Sequence, residues 1–302
     1  MGTGHQVIKD PKIEDLSQET QKILLAKRVC AVKSFDEWHK TLGELALFDS
    51  YIDVLQKDSE KNQVQSIIWA VVFFFLSIFL PLFIHPGLLF LFGFGFLYFI
   101  YQSIYYYSRL RKFRNLNLSN DFRDFLIPLL KSLETDFPQK SKVRLILDFS
   151  GVEPKKQITK RNVPSSRFSS VEETEFLDRW MRLSTVFPNG SRLKMRVENL
   201  VVSSNRGWQN ANGKSKSKTK WKKRVSIRVA MTPPKGVKIG EPGGGFKISS
   251  RPNGDWLSGK MKWKYSAMGV CPDSAPKPVE VIGLIFQVCS QFQGIPVHRT
   301  QP

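Results

Sequence analysis

The spacing of apolar residues divides the chain into three regimes. In the first, Trp38, Leu42, Leu45, Phe48, Ile52 and Leu55 recur every three or four residues. That period draws one apolar stripe along a helix. Ser34-x-x-Glu37 just ahead of it is a capping box, in which each residue satisfies a backbone donor near the other. An earlier helix is expected from Ile13 to about Val32, with Ile13, Leu16, Ile23 and Leu24 on its apolar side. These stripes serve either as packing faces within the chain or as docking helices for a partner.

The second regime has no period because almost everything in it is apolar. Asn62 to Ser108 contains no Asp, Glu, Lys or Arg. Two runs, Ile67 to Ile84 and Leu88 to Tyr107, flank His85-Pro86-Gly87. Each is close to the ~20 residues that cross a bilayer core, and Pro with Gly marks a turn. The expectation is a transmembrane helical hairpin. A shallow wedge and a buried soluble hairpin are the alternatives.

The third regime mixes periods. Ser119 or Asn120 caps a helix reaching about Thr135, kinked or restarted at Pro128. Period two then takes over, the signature of a strand with one buried face. Val143, Leu145, Leu147 and Phe149 alternate with polar residues, as do Leu193, Met195 and Val197, and then Val225, Ile227 and Val229. Asn189-Gly190 sits between two such runs as a hairpin turn. Asn210 to Gly213, Pro233-Pro234, Gly243 to Gly245 and Asn253-Gly254 supply further turns, and the run from Gly259 to Met268 alternates again. Residues 153 to 170 are polar and predict a loop, and Ser170-x-x-Glu173 predicts a short capped helix through Trp180. Pro278 to Phe292 is apolar nearly all round, predicting a buried helix, with a strand as the alternative.

Together these give an α+β membrane protein. Residues 1–61 form an amphipathic helical region and 62–108 the transmembrane hairpin. Residues 109–142 are a basic juxtamembrane segment and helix. Residues 143–302 are a basic, antiparallel β-rich cytoplasmic domain with a terminal helix.

Charge sharpens this division. The net charge of the 302 residues is +20. Residues 1–64 hold 9 Lys/Arg and 11 Asp/Glu, whereas 109–302 hold 37 and 15. The basicity belongs to the C-terminal part, which calls for an anionic partner. Arg109, Arg111, Lys112 and Arg114 follow the second apolar run directly. By the positive-inside rule they place that flank, and through two crossings the N-terminus, in the cytoplasm. Tyr105, Tyr106 and Tyr107 suit the headgroup layer beside them.

The densest basic stretch places Lys214, Lys216, Lys218, Lys220 and Lys222 at every second position, with Arg224 continuing the series. On a strand these share one face. They are the expected anion-binding residues, opposite Ser215, Ser217, Thr219, Trp221 and Lys223. A solvated loop with lysines that protect a sheet edge is the other reading.

Catalytic chemistry finds little support. Cys30, Cys271 and Cys289 form no CxxC pair, and the four histidines are scattered. Five residues lie between Gly207 and Gly213, where a phosphate loop has four. Glu172, Glu173, Glu175 and Asp178 read as a solvated helix turn. No catalytic residue, metal ligand or cofactor is assigned. The expected function is a membrane-anchored binding or scaffold protein whose basic domain contacts anionic partners, first among them lipid headgroups. Nucleic acid or an acidic protein is the alternative partner, with oligomerisation through the transmembrane helices. An enzyme without a linear motif is the competing class.

Overall fold

The computed structural model describes residues 12–83, 88–137, 141–152, 156–166, 168–209, 212–234, 236–240, 245–250, 255–269, 271–272 and 274–292. The expected turns at His85-Pro86-Gly87 and Asn253-Gly254, and parts of those at Asn210 to Gly213 and Gly243 to Gly245, lie outside them. The chain forms two compact units, Met1–Leu25 with Glu44–Asn117, and Ala26–Gly43 with Leu118–Pro302.

The first unit holds α1 (Gln18–Ala26) up to Leu25, α2 (Phe35–Phe83) from Glu44 onward, and α3 (Leu88–Leu116), while the start of α2 and the strand before it belong to the second. The capping box forms: the Ser34 backbone N–H donates to Glu37 Oε2 at 2.8 Å, and the Glu37 N–H donates to Ser34 Oγ at 3.3 Å. Leu45, Phe48, Ile52 and Leu55 are buried, as their period requires. Among the described residues one helix, α2, is long and apolar enough to cross a membrane. Trp69 and Phe73 of α2 meet Phe99 of α3, and Phe74 meets Phe96. Ile68, Phe75, Phe79, Phe90, Phe94 and Leu97 remain exposed.

The second unit is a sheet with helices on one face. Its strands are β1 (Arg28–Ser34), β2 (Lys142–Asp148), β3 (Gln157–Asn162), β4 (Ser170–Val186), β5 (Arg192–Gln209), β6 (Ser215–Thr232), β7 (Lys247–Ser249) and β8 (Trp256–Met268). They run in the order β1-β2-β4-β5-β6-β8-β7, with β3 beside the outer half of β4, and the strand pairings are antiparallel. A short π-helical turn (Phe122–Leu126), α4 (Ile127–Glu134) and α5 (Pro278–Cys289) belong to the same unit. Ring contacts join Phe122 to Phe149 and Phe125 to Trp180, while α5 packs on β6, β8 and α4. At Gly259 of β8 an added Cβ would lie 2.8 Å from Leu284 Cδ1 of α5 and 2.8 Å from the Phe246 ring, so both side chains would have to shift to admit it.

Several segments depart from the sequence expectation. The first helix ends at Ala26, because Lys27 adopts φ 51° and the chain turns into β1. A lysine rarely takes this left-handed conformation, and glycine, which normally signals such an ending, is absent. The expected loop at 153–170 contains β3. The expected capped helix from Ser170 to Trp180 is instead the outer half of β4, and its carboxylates are cross-strand partners. Lys160 lies 3.0 Å from Glu172, and Arg161 lies 3.2 Å from Glu173 and 3.3 Å from Glu175. A bulge between Asp178 and Met181 shifts the alternation, which hides it from a period count. At the Asn189-Gly190 turn only Gly190 has positive φ, 87°. Phe187 N–H donates to Ser191 O at 2.8 Å, closing a three-residue loop around Pro188. The C-terminal helix forms, but it buries one side: Val281, Leu284, Ile285 and Val288 are covered, while Val279 and Phe286 are exposed.

Trp38 ties the start of α2 to the sheet. Its side chain is fully buried and its indole N–H donates to the Val143 carbonyl at 2.9 Å. Trp38→Ala should lower stability by about 3–5 kcal/mol through the cavity left behind. Trp38→Phe should cost only roughly 1–2 kcal/mol, chiefly the lost hydrogen bond. Denaturant unfolding of the full chain in detergent, followed by amide exchange in β2, checks both; equal losses would discard the cavity component, and no loss in Trp38→Phe would discard the hydrogen bond.

Candidate functional site: the open face of the sheet

Strand alternation gives this sheet one covered face and one open face. On β6 the odd-numbered Lys223, Val225, Ile227, Val229 and Met231 are buried, whereas Lys222, Arg224 and Arg228 are exposed. Lys216, Lys218, Lys220, Lys222 and Arg224 therefore lie on one face of β6, as their spacing requires, and Lys214 precedes the strand. Sequence reasoning placed Lys223 opposite them, and it is buried there.

What a single strand does not reveal is the neighbours. Register pairs Arg182 of β4 with Arg196 of β5, Arg196 with Arg228 of β6, and Arg228 with Lys260 of β8. One rung of four cations thus crosses four adjacent strands. Directly opposed Cβ atoms in such pairs are only about 5 Å apart, and like charges there are destabilising. The next rung sets Arg144 beside Ser184, Ser184 beside Lys194, Lys194 beside Ala230 and Ala230 beside Ser258. Toward the far end, Arg224 opposes Lys264.

These two rungs line a cavity of about 590 Å³. Arg144, Arg182, Lys194, Arg196 and Arg228 contribute its charge, and Ser184, Ser249 and Ser258 its hydroxyls. No carboxylate is among its described lining residues. The Lys194 ammonium sits 4.2 Å from the Trp256 ring centroid, a cation–π contact that fixes its position. Glu198, just beyond, meets Arg196 at 2.5 Å and Arg179 at 3.3 Å. The Arg196 Nε is buried without a hydrogen-bond partner.

The expected interfacial residues lie in the first unit. Arg109 stands over the rings of Tyr105 and Phe113, Tyr105 contacts Tyr106, and Arg114 is 3.6 Å from Glu60. Arg111, Lys112 and Tyr107 are exposed.

Beneath the covered face lies a second charged constellation. Lys223 Nζ is 2.9 Å and 3.1 Å from the two Asp121 oxygens, and Asn199 Nδ2 donates to Asp121 Oδ2 at 2.9 Å. Lys156 Nζ donates to Asp178 Oδ1 at 2.6 Å and lies 3.4 Å from Asp148. The Asp121 contacts join the start of the π-helical turn to β5 and β6. Burial also pushes the Cys289 thiol up to about 11, reinforced by the Asp136 charge, so it stays protonated. Among the described residues no group of three or more His, Cys, Asp or Glu side chains is placed to hold a metal ion.

Burial pushes the Asp178 carboxyl up to about 6, against the opposing pull of Lys156. Its folded value is above the unfolded one, so the folded state holds the proton more tightly. The resulting stability is full below the unfolded value of about 3.9 and fades as pH rises through the folded value. Asp178→Asn should flatten the stability profile between about pH 4 and 6, removing a fall on the order of 3 kcal/mol. Parallel wild-type and variant profiles in denaturant titrations would contradict this.

Compared as a whole, the chain matches no protein-family model, no curated protein and no solved structure.

Proposed function

We propose that this chain is a membrane-anchored binding or scaffold protein whose open sheet face recognises anionic lipid headgroups. The observation that carries the reading is the four-cation rung Arg182, Arg196, Arg228 and Lys260. Glu198 neutralises Arg196, and the remaining like charges of the rung raise the energy of the fold unless a further anion meets them. Arginine is suited to that anion, because its planar fork pairs with two phosphate oxygens at once.

The anchor is read from the apolar helices. Apolar side chains exposed along α2 and α3 make a patch that water would disfavour. In this reading α2 and α3 cross the bilayer as a pair, with Gly95 closing against Phe73. Both termini then face the cytoplasm, where Arg109, Arg111, Lys112 and Arg114 attract anionic lipid by about 1 kcal/mol each.

Nucleic acid is the weaker reading for a specific reason. Single strands are held on exposed aromatic platforms. Among the described residues of the open face, Trp208 is engaged with Phe168, and Trp256 is buried beneath Lys194.

Full-length protein held in phosphatidylcholine nanodiscs should capture phosphatidylserine vesicles but not phosphatidylcholine vesicles. Capture should weaken steeply with salt, since screening limits exposed charges to about 8 Å near physiological ionic strength. Replacing Lys216, Lys218, Lys220 and Lys222 by Ser should reduce it without unfolding the chain. Equal capture of both vesicle types defeats the lipid reading, and tighter saturable binding of single-stranded RNA at the same salt replaces it.

Topology is tested separately. With Cys30, Cys271 and Cys289 changed to Ser, Thr3→Cys and Gln301→Cys should both resist an impermeant thiol reagent in intact cells and react after permeabilisation. Labelling of one end from outside would reduce the anchor to a single crossing.

A further inference from the structure

We infer that the cavity on the open face is a site for a small ring polyol carrying two or more phosphomonoesters, either as a phosphoinositide headgroup or as a soluble inositol phosphate. The inference rests on the anionic-headgroup reading and narrows it to one place and one chemistry.

Charge is the first ground. Arg144, Arg182, Lys194, Arg196 and Arg228 converge on about 590 Å³ without a lining carboxylate among the described residues. A phosphomonoester carries nearly two negative charges at neutral pH. Arg196 is already paired with Glu198, and two phosphomonoesters on one ligand balance the other four, whereas a phosphodiester such as phosphatidylserine would leave most of them unbalanced.

Shape is the second. The volume is within the ~300–1,000 Å³ range of small-molecule sites and exceeds what a single phosphate fills. The cations rise from four adjacent strands, β2, β4, β5 and β6, and so are spread across the floor of the cavity. A ligand with phosphates on several corners of a ring meets this arrangement. Ser184 stands between Arg144 and Lys194, and Ser258 and Ser249 line the edge side beyond β6, so hydroxyl partners for a ring polyol flank the charges.

Donor geometry is the third. Arg182 and Arg228 are exposed and line the cavity, and a guanidinium fork can donate to two phosphate oxygens at once. Lys194 is held by Trp256 at 4.2 Å, so little ordering remains to be lost on binding. A nucleotide fits less well, because the aromatic that could stack its base is already covered.

The test uses the full chain in phosphatidylcholine nanodiscs, titrated calorimetrically with inositol trisphosphate. One saturable site per chain is expected. Arg182→Gln and Arg228→Gln should each weaken it by roughly tenfold or more, as expected for losing a charged hydrogen bond. Their thermal midpoints should stay level or rise, since each removes a like-charge contact; this separates lost binding from misfolding. Lys131→Gln, exposed on α4, should leave the affinity unchanged. Vesicles containing phosphatidylinositol bisphosphate identify the source: capture displaced by inositol trisphosphate indicates a lipid headgroup, and binding of the soluble ligand alone indicates a free inositol phosphate. Either supports the site. No titration with capture of phosphatidylserine vesicles intact overturns the cavity inference and leaves the headgroup reading standing; loss of both overturns both. Equal weakening by Lys131→Gln, or displacement by inorganic phosphate at matched concentration, also overturns it.

Discussion

A pleated strand sends consecutive side chains to opposite faces, and in this sheet that rule decides almost everything else. Once Leu193, Met195 and Val197 face inward, Lys194 and Arg196 must face outward. The inward face needs cover, which the π-helical turn, α4 and α5 provide. The outward face cannot be covered in the same way, because burying a row of guanidinium groups without counter-charges would be prohibitive. The sheet is thus committed to one dry side and one charged side before any partner is considered.

The covered side contains one polar connection that the pleat also demands. Lys223 has the inward parity of β6, so it enters the core with its charge. Asp121 meets it there, and Asn199 completes the carboxylate's hydrogen bonds. Such a buried pair adds little net stability compared with apolar residues, yet removing one member leaves a stranded charge. It fixes where the π-helical turn sits over β5 and β6 more sharply than apolar contact alone does.

How much of this was readable in the sequence depended on whether a segment has a dry face. β2, β5, β6 and β8 alternate plainly, and α2 carries its capping box and stripe in clear view. β3 is exposed along its whole length, so no alternation exists to be found. β1 and the outer half of β4 were misread as helix for two different reasons, a lysine in place of a terminating glycine and a bulge that interrupts the parity. The lysine series of β6 was legible as a face. The rung that joins Arg182, Arg196, Arg228 and Lys260 was not, because adjacency across strands is a matter of register, and no linear spacing encodes it. The two-crossing anchor remains a reading of composition beside one helix, α2, that is long and apolar enough to span.

The cation rung also governs how two such sheets can meet. Antiparallel sheets with one uncovered face can stack on a second sheet about 10 Å away. Here that approach would set arginine against arginine, so copies of the chain repel one another through this side. The repulsion is conditional: a layer of anions between two faces would cancel it and turn the same arginines into a glue. Bare faces of this kind would hold copies of the chain apart, and a dense anion layer would let them gather.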